Sequence, residues 1–242
     1  IILIYCSELP TIRRNMYKGF TLSETLITLG IIGVIAAITI PALITKNNKM
    51  QTTVKLKQTY SIMAQALRMA ENDLGIIENW ALSSKTFADQ YLKPYCKIIE
   101  EFSPDEFPQD FHIYCRTGEV CDRYGEFKNA QKLILENGTL IAPYPLTVTI
   151  DGKQYYTTTI IVDINGMKRP NKYGKDVFMF SFDYKNSLEP YGLGFVSGMS
   201  EVPHFSRDNL LKGSDRACQR HGLYCAAVIM LDGWEIRDDY PW

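Results

Sequence analysis

Hydrophobic and polar positions divide the chain into three patterns. From Phe20 to Ile44 the sequence FTLSETLITLGIIGVIAAITIPALI is apolar in every direction and carries one charge, Glu24. At a rise of about 1.5 Å per residue such a helix extends roughly 37 Å, enough to cross the ~30 Å hydrocarbon layer with some tilt. After the polar stretch Lys46-Asn47-Asn48-Lys49, the positions Leu56, Tyr60, Met63, Leu67, Ala70 and Leu74 recur at alternating steps of four and three. That spacing predicts one apolar stripe on a helix, and Gly75 supplies its stop signal.

From Lys132 the period shortens. Lys132–Glu136, Thr139–Ala142, Leu146–Ile150, Gln154–Asp163 and Val177–Tyr184 are runs of Ile, Val, Thr, Tyr and Phe. Asn137-Gly138 and Asp151-Gly152 stand between them at hairpin positions. A last hairpin is expected from Ala226–Leu231 and Trp234–Arg237 around Asp232-Gly233. Residues 76–130, broken by Pro94, Pro104 and Pro108, read as short helix and loop, and 185–217 as a long surface loop. The fold expected is α+β: a long N-terminal helix, membrane-spanning in its first half, with an antiparallel sheet packed on its outer half.

Charge orients the span. Arg13, Arg14 and Lys18 precede it, so the positive-inside bias keeps the N-terminus in the cytoplasm and exports the rest. Met16 lies four residues before Phe20, and residues 1–15 read as sequence upstream of a start there. Glu24 admits two readings. A carboxylate at a helix start favours the positive end of the macrodipole. If the chain is cut between Gly19 and Phe20, the new α-amino group and the Glu24 carboxylate would seek each other, within one chain or between neighbours. An unpaired charge in hydrocarbon costs several kcal/mol.

Gly19-Phe20-Thr21-Leu22-Ser23-Glu24 followed by an apolar run resembles the prepilin signature of type IV pilins and type II secretion pseudopilins. The resemblance implies cleavage after Gly19 by a prepilin peptidase, N-methylation of Phe20, and pairing of Glu24 with the N-terminus of an adjacent subunit. Pro41 falls where this family places a helix-bending proline. The alternative of a secretory signal peptide, cleaved near Ala36-Ala37, leaves Glu24 unexplained and has too long an apolar run. The expected division is a leader at 1–19, an assembly helix at 20–45, an amphipathic stalk at 46–75 and an extracytoplasmic pilin-like domain at 76–242. The resemblance also implies a single pass through the bacterial inner or cytoplasmic membrane and a periplasmic or surface filament. The partners implied are other pilin or pseudopilin subunits, the prepilin peptidase and membrane lipid.

Between Asp163 and Asp176 the residues Asp163, Asn165, Asn171 and Asp176 gather oxygen side chains suited to a hard cation. The loop is similar to the calcium loops of some type II secretion pseudopilins. Lys168, Arg169, Lys172 and Lys175 oppose a cation, and an Asx-stabilised turn explains the same residues. With Cys6 in the leader, five cysteines remain for an exported domain, where disulfides are expected. Cys218 and Cys225 are the pair expected, in a small closed C-terminal loop of the kind in which pilins place a disulfide. Cys96, Cys115 and Cys121 supply one bond and one free thiol, with Cys115 and Cys121 nearest in sequence. Cys218-x-x-His221-x-x-x-Cys225 is a zinc fragment without a fourth ligand.

Enzyme signals are missing from the sequence. Gly194-Phe195-Val196-Ser197-Gly198 is off by one from a nucleophile elbow, and His112, His204 and His221 have no acidic partner at motif spacing. The formal net charge of −1 becomes more negative once Arg13, Arg14, Lys18 and Glu8 fall away, so no broad nucleic-acid surface is indicated. The reading is a structural, non-enzymatic filament subunit with no cofactor beyond a structural calcium. A membrane-anchored adhesin-like binding module, using the 185–217 loop, is its rival from another class.

Overall fold

The computed structural model describes residues 19–75, 83–122, 124–150, 152–183, 188–194 and 205–242. Residues 1–18 of the leader, Cys6 and Met16 among them, and residues 185–187 and 195–204 of the 185–217 loop lie outside them. The chain divides into two compact units, Ile1–Lys46 and Asn47–Trp242.

Helix α1 runs over Leu22–Leu74 and continues through Pro41. In the first unit its apolar side chains are solvent-facing, among them Leu22, Leu26, Ile32, Val34 and Ile38. By length and composition this stretch is able to cross a membrane.

In the second unit α1 buries Thr52, Thr53, Leu56, Thr59, Met63, Ala66, Leu67 and Ala70. Their steps of three and four put them on the face turned to the sheet. Tyr60 is partly buried, with its ring 5.9 Å from Phe180 and 5.2 Å from Trp234. Leu74, expected on the same stripe, is exposed because the helix has run past the core by its last turn.

Six antiparallel strands follow in chain order: β1 (Ile98–Phe102), β2 (Lys132–Leu135), β3 (Leu140–Ile150), β4 (Lys153–Asp163), β5 (Val177–Asp183) and β6 (Leu188–Pro190). Thus the helix-plus-antiparallel-sheet class expected from the pattern is the one observed. The β3/β4 hairpin pairs from Leu140 with Asp163 to Ile150 with Lys153. Gly152, at φ +76°, supplies the left-handed residue its two-residue turn needs. The two runs at 139–142 and 146–150 form one strand across Pro143 and Pro145. β2 pairs only with Leu140 and Ile141, so these prolines, of one parity, sit where the outer edge of β3 requires no N–H donor.

Three segments depart from the sequence reading. The expected C-terminal hairpin is instead helix α4 (Cys225–Leu231), and residues 234–237 form no strand. Cys225, Ala226, Ala227, Val228 and Ile229 are all buried. A short run apolar on every side has no period to separate strand from helix. Asp232-Gly233 ends the helix, with Trp234 N–H reaching Ile229 O at 2.8 Å. Residues 76–130 contain β1 beside helix α2 (Ser84–Phe87), and the 185–217 segment contains β6 and helix α3 (Arg207–Lys212).

Two charged side chains, the half-buried Arg207 and the buried Lys132, are anchored differently. Arg207 reaches Asp232 and Asp239 through four hydrogen bonds of 2.6–2.8 Å, which tie α3 to the end of α4 and hold its guanidinium charged. Lys132 lies inside an aromatic box, its Nζ 5.0 Å from the Phe107 ring and 5.1 Å from Phe127. It donates to Lys128 O at 3.0 Å, and burial pushes its pKa down to about 8.

Candidate functional site

The N-terminal site is built on the first turn of α1. Gly19, Phe20 and Thr21 precede the helix, and Phe20 is 85% exposed. Glu24 Oε2 accepts from Thr21 N–H and from Thr21 Oγ1, each at 2.8 Å, while Glu24 N–H donates to Thr21 Oγ1 at 3.2 Å. This is a capping box, which satisfies orphan donors at both positions. The T-x-x-E spacing that announces it is readable in the sequence, and it gives Glu24 a task inside a single chain. The bond between Gly19 and Phe20 is therefore displayed outside a helix whose start is fixed one residue further on.

A second site lies in the second unit, in the loop from the end of β4 to the start of β5. The structure brings Asp163, Asn165, Asn171 and Asp176 together there. Asp176 is committed to the loop's own backbone: Oδ1 accepts from Lys172 N–H at 2.6 Å, and Oδ2 accepts from Asn171 N–H at 2.9 Å and Asn165 Nδ2 at 3.0 Å. Asp163 Oδ1 accepts from Asn165 N–H at 3.1 Å. Three other oxygens, Asp163 Oδ2, Asn165 Oδ1 and Asn171 Oδ1, are buried without a hydrogen-bond partner among the described residues.

Burial raises the pKa of both carboxyl groups, Asp163's well above the usual range, and the nearby Asp176 charge raises Asp163's further. Backbone N–H donors oppose the shift at each. Asn171 holds φ +51°, a conformation asparagine tolerates better than most residues. Asn165 and Asp176 also line a cleft of about 200 Å³ with Gln51, Lys55, Lys175 and Trp242, which offers access from solvent. Lys175 lies over the Trp242 ring at 6.0 Å. The loop thus holds two carboxyl groups and three unsatisfied acceptor oxygens, one of them on Asp163, and orphaned buried oxygens cost about 1–3 kcal/mol each.

Cys115 is bonded to Cys121 and Cys218 to Cys225, while Cys96 is a buried free thiol whose pKa burial pushes up to about 11. The Cys218–Cys225 bond removes both thiolates from the sequence's zinc fragment. His221 turns elsewhere: Nε2 lies 3.0 Å from Glu119 Oε1 and Nδ1 3.0 Å from Tyr124 Oη. Glu119 and Tyr124 have no sequence spacing that pairs them with His221; only the fold does.

The prokaryotic N-terminal methylation motif matches residues 14–40, and it is the signature of type IV pilins and pseudopilins. The chain thus carries a type IV pilin-like N-terminal signature on an apolar helix long enough to cross a membrane. The chain belongs to the family of unknown function DUF6613, whose model matches residues 42–242. No curated protein and no solved structure matches it.

Proposed function

We propose that the chain is a structural subunit of a type IV pilus-like or type II secretion pseudopilus filament. A prepilin peptidase cuts between Gly19 and Phe20, and the new amine on Phe20 is methylated. The helix from Phe20 stays in the membrane until the subunit joins others, with the sheet domain on the extracytoplasmic side. Glu24 then exchanges part of its capping role for the N-terminal amine of a neighbour. The observation that carries this reading is the exposed Gly19–Phe20 junction directly before a capped helix whose apolar side chains up to Ile44 are uncovered on all sides. Such a surface requires lipid or other copies of the helix around it. Mass spectrometry of the protein from native membranes tests it. The expected N-terminal peptide begins with N-methyl-Phe20; any other terminus overturns the processing.

The Asp163–Asp176 loop serves this subunit as a cation-held brace. Asp163 Oδ2, Asn165 Oδ1 and Asn171 Oδ1, buried without partners, would take the ion, and Asp176 positions Asn165 and Asn171 through its three hydrogen bonds. An all-oxygen donor set with one direct carboxylate suits calcium. The bound ion would neutralise the pair and satisfy the orphaned acceptors. At tenfold excess over its Kd, calcium should stabilise the native state by about 1.4 kcal/mol, a few degrees in Tm. Asp163→Asn should lose that gain, and a wild-type Tm indifferent to calcium and to chelator would remove the brace from the account.

A further inference from the structure

A second cluster of metal-ligating groups lies at the corner where residues 113–121 meet the loop before α4. Residues 114–120 fold back as a tight hairpin: Tyr114 bridges Val120, Cys115 N–H donates to Glu119 O at 2.9 Å, and Cys121 N–H donates to Ile113 O at 2.7 Å. This brings Cys115, Glu119 and Cys121 to one side. His221 arrives from the other, held by Arg116 N–H on its carbonyl at 3.2 Å and by its own N–H on Asp215 O at 3.0 Å. The Cys115 sulfur, a Glu119 carboxylate oxygen and a His221 ring nitrogen lie within 4.8 Å of one another. The Cys121 sulfur is bonded to Cys115 and lies 4.0 Å from Glu119 Oε1.

We propose that this corner is a thiol-gated zinc site: with the Cys115–Cys121 bond reduced, Cys115, Cys121, Glu119 and His221 bind one Zn²⁺. Two thiolates, an imidazole and a carboxylate are a four-ligand set for tetrahedral zinc, and thiolates select it over calcium or magnesium. The two sulfurs need to part only to about 3.8 Å, which follows from zinc–sulfur bonds of about 2.3 Å in a tetrahedral site. Tyr124 Oη beside Nδ1 accepts from the Nδ1–H tautomer and frees Nε2 for the metal, the support a ligating histidine requires. Both sulfurs are fully buried, while the Glu119 side chain is 52% exposed and opens the path by which the ion enters.

In the oxidised form the sulfurs are spent on each other, so only Glu119 and His221 remain and zinc is held weakly. The balance is simple. A dithiol reduces the Cys115–Cys121 bond, passing two electrons and two protons to the sulfurs, and becomes a disulfide itself. Zn²⁺ then displaces both thiol protons to water as two zinc–sulfur bonds form. A disulfide of the same class reverses the sequence: it takes the two electrons and two protons, becomes the dithiol, and the ion is released as the Cys115–Cys121 bond closes. The corner is thus stapled in either state, and zinc keeps this pair from mispairing with Cys96, Cys218 or Cys225 before the bond closes.

The test uses the full chain in detergent micelles, reduced with a phosphine and titrated with Zn²⁺ alone, with Co²⁺ as the spectroscopic probe. The reduced protein should bind one equivalent that the oxidised protein does not, with a sulfur-to-cobalt charge-transfer band. His221→Gln should weaken zinc at least about tenfold, because loss of even a group behind a ligand costs 10–100-fold. The double variant Cys115→Ser/Cys121→Ser should show neither that equivalent nor its band. Equal binding by oxidised and reduced protein, or undiminished affinity in either variant, overturns the site. If reduction unfolds the domain, one equivalent of zinc must restore the native circular dichroism, and failure to do so overturns it as well.

Discussion

Glu24→Ala should leave the protein in the membrane and cut its incorporation into filaments about a hundredfold. Insertion survives because the substitution removes the one charge from the apolar run. Assembly fails for a different reason. A neighbour's N-terminal amine brought into apolar surroundings without its carboxylate is an uncompensated charge, which costs about 3 kcal/mol, or a factor near 10². The capping box complicates this variant, since loss of a cap costs about 1 kcal/mol by itself. Glu24→Gln separates the two roles, because glutamine closes a capping box as glutamate does but brings no charge. If the ion pair governs assembly, Gln is as defective as Ala. If the cap is all that matters, Gln assembles like the wild type and the inter-subunit pairing is withdrawn. Filament yield per membrane-resident subunit is the quantity to measure, by immunoblot of sheared and membrane fractions.

What the sequence disclosed depends on how local each physical cause is. The apolar run at 20–44 and the strands β2 to β5 are set by composition and period, and both are legible. Helix α4 is not: Cys225–Leu231 is apolar throughout, and burial on all sides erases the period that would have named it. Strand β1 is hidden for the opposite reason. Ile99, Glu100 and Glu101 are exposed in succession, and only pairing with β2 makes them a strand. At the loop site the oxygen side chains could be counted from the sequence, but not which oxygens remain unspent. Asp176 looks like a ligand in one dimension; in three it gives both oxygens to N–H donors, while Asn165 and Asn171 keep theirs. His221 shows the same limit, because its partners lie about a hundred residues upstream, at Glu119 and Tyr124.

Gly174→Ala should lower stability by about 3–4 kcal/mol. Two costs add at this position. Gly174 has φ +76°, where a side chain costs about 1–2 kcal/mol. A Cβ there would also collide with Cys225 Sγ and stand 3.2 Å from Cys225 Cβ. That sulfur cannot swing aside, since it is bonded to Cys218 and begins α4. Overpacking of this kind costs about 1–3 kcal/mol. Gly152 is the matched control: it has the same φ of +76°, but a Cβ there meets nothing within 4 Å. Gly152→Ala should therefore lose only the conformational part, and equal Tm shifts for the two variants would refute the packing argument. The consequence reaches the cation loop as well. Gly174 O accepts from Tyr240 Oη at 2.6 Å, and its N–H donates to Val177 O at 2.9 Å. Pushing the turn off Cys225 displaces the same segment that aims Asp176 at Asn165 and Asn171. Gly174→Ala should then lose the calcium-dependent rise in Tm along with its stability, whereas Gly152→Ala, at the far end of the β3/β4 hairpin, should keep that rise.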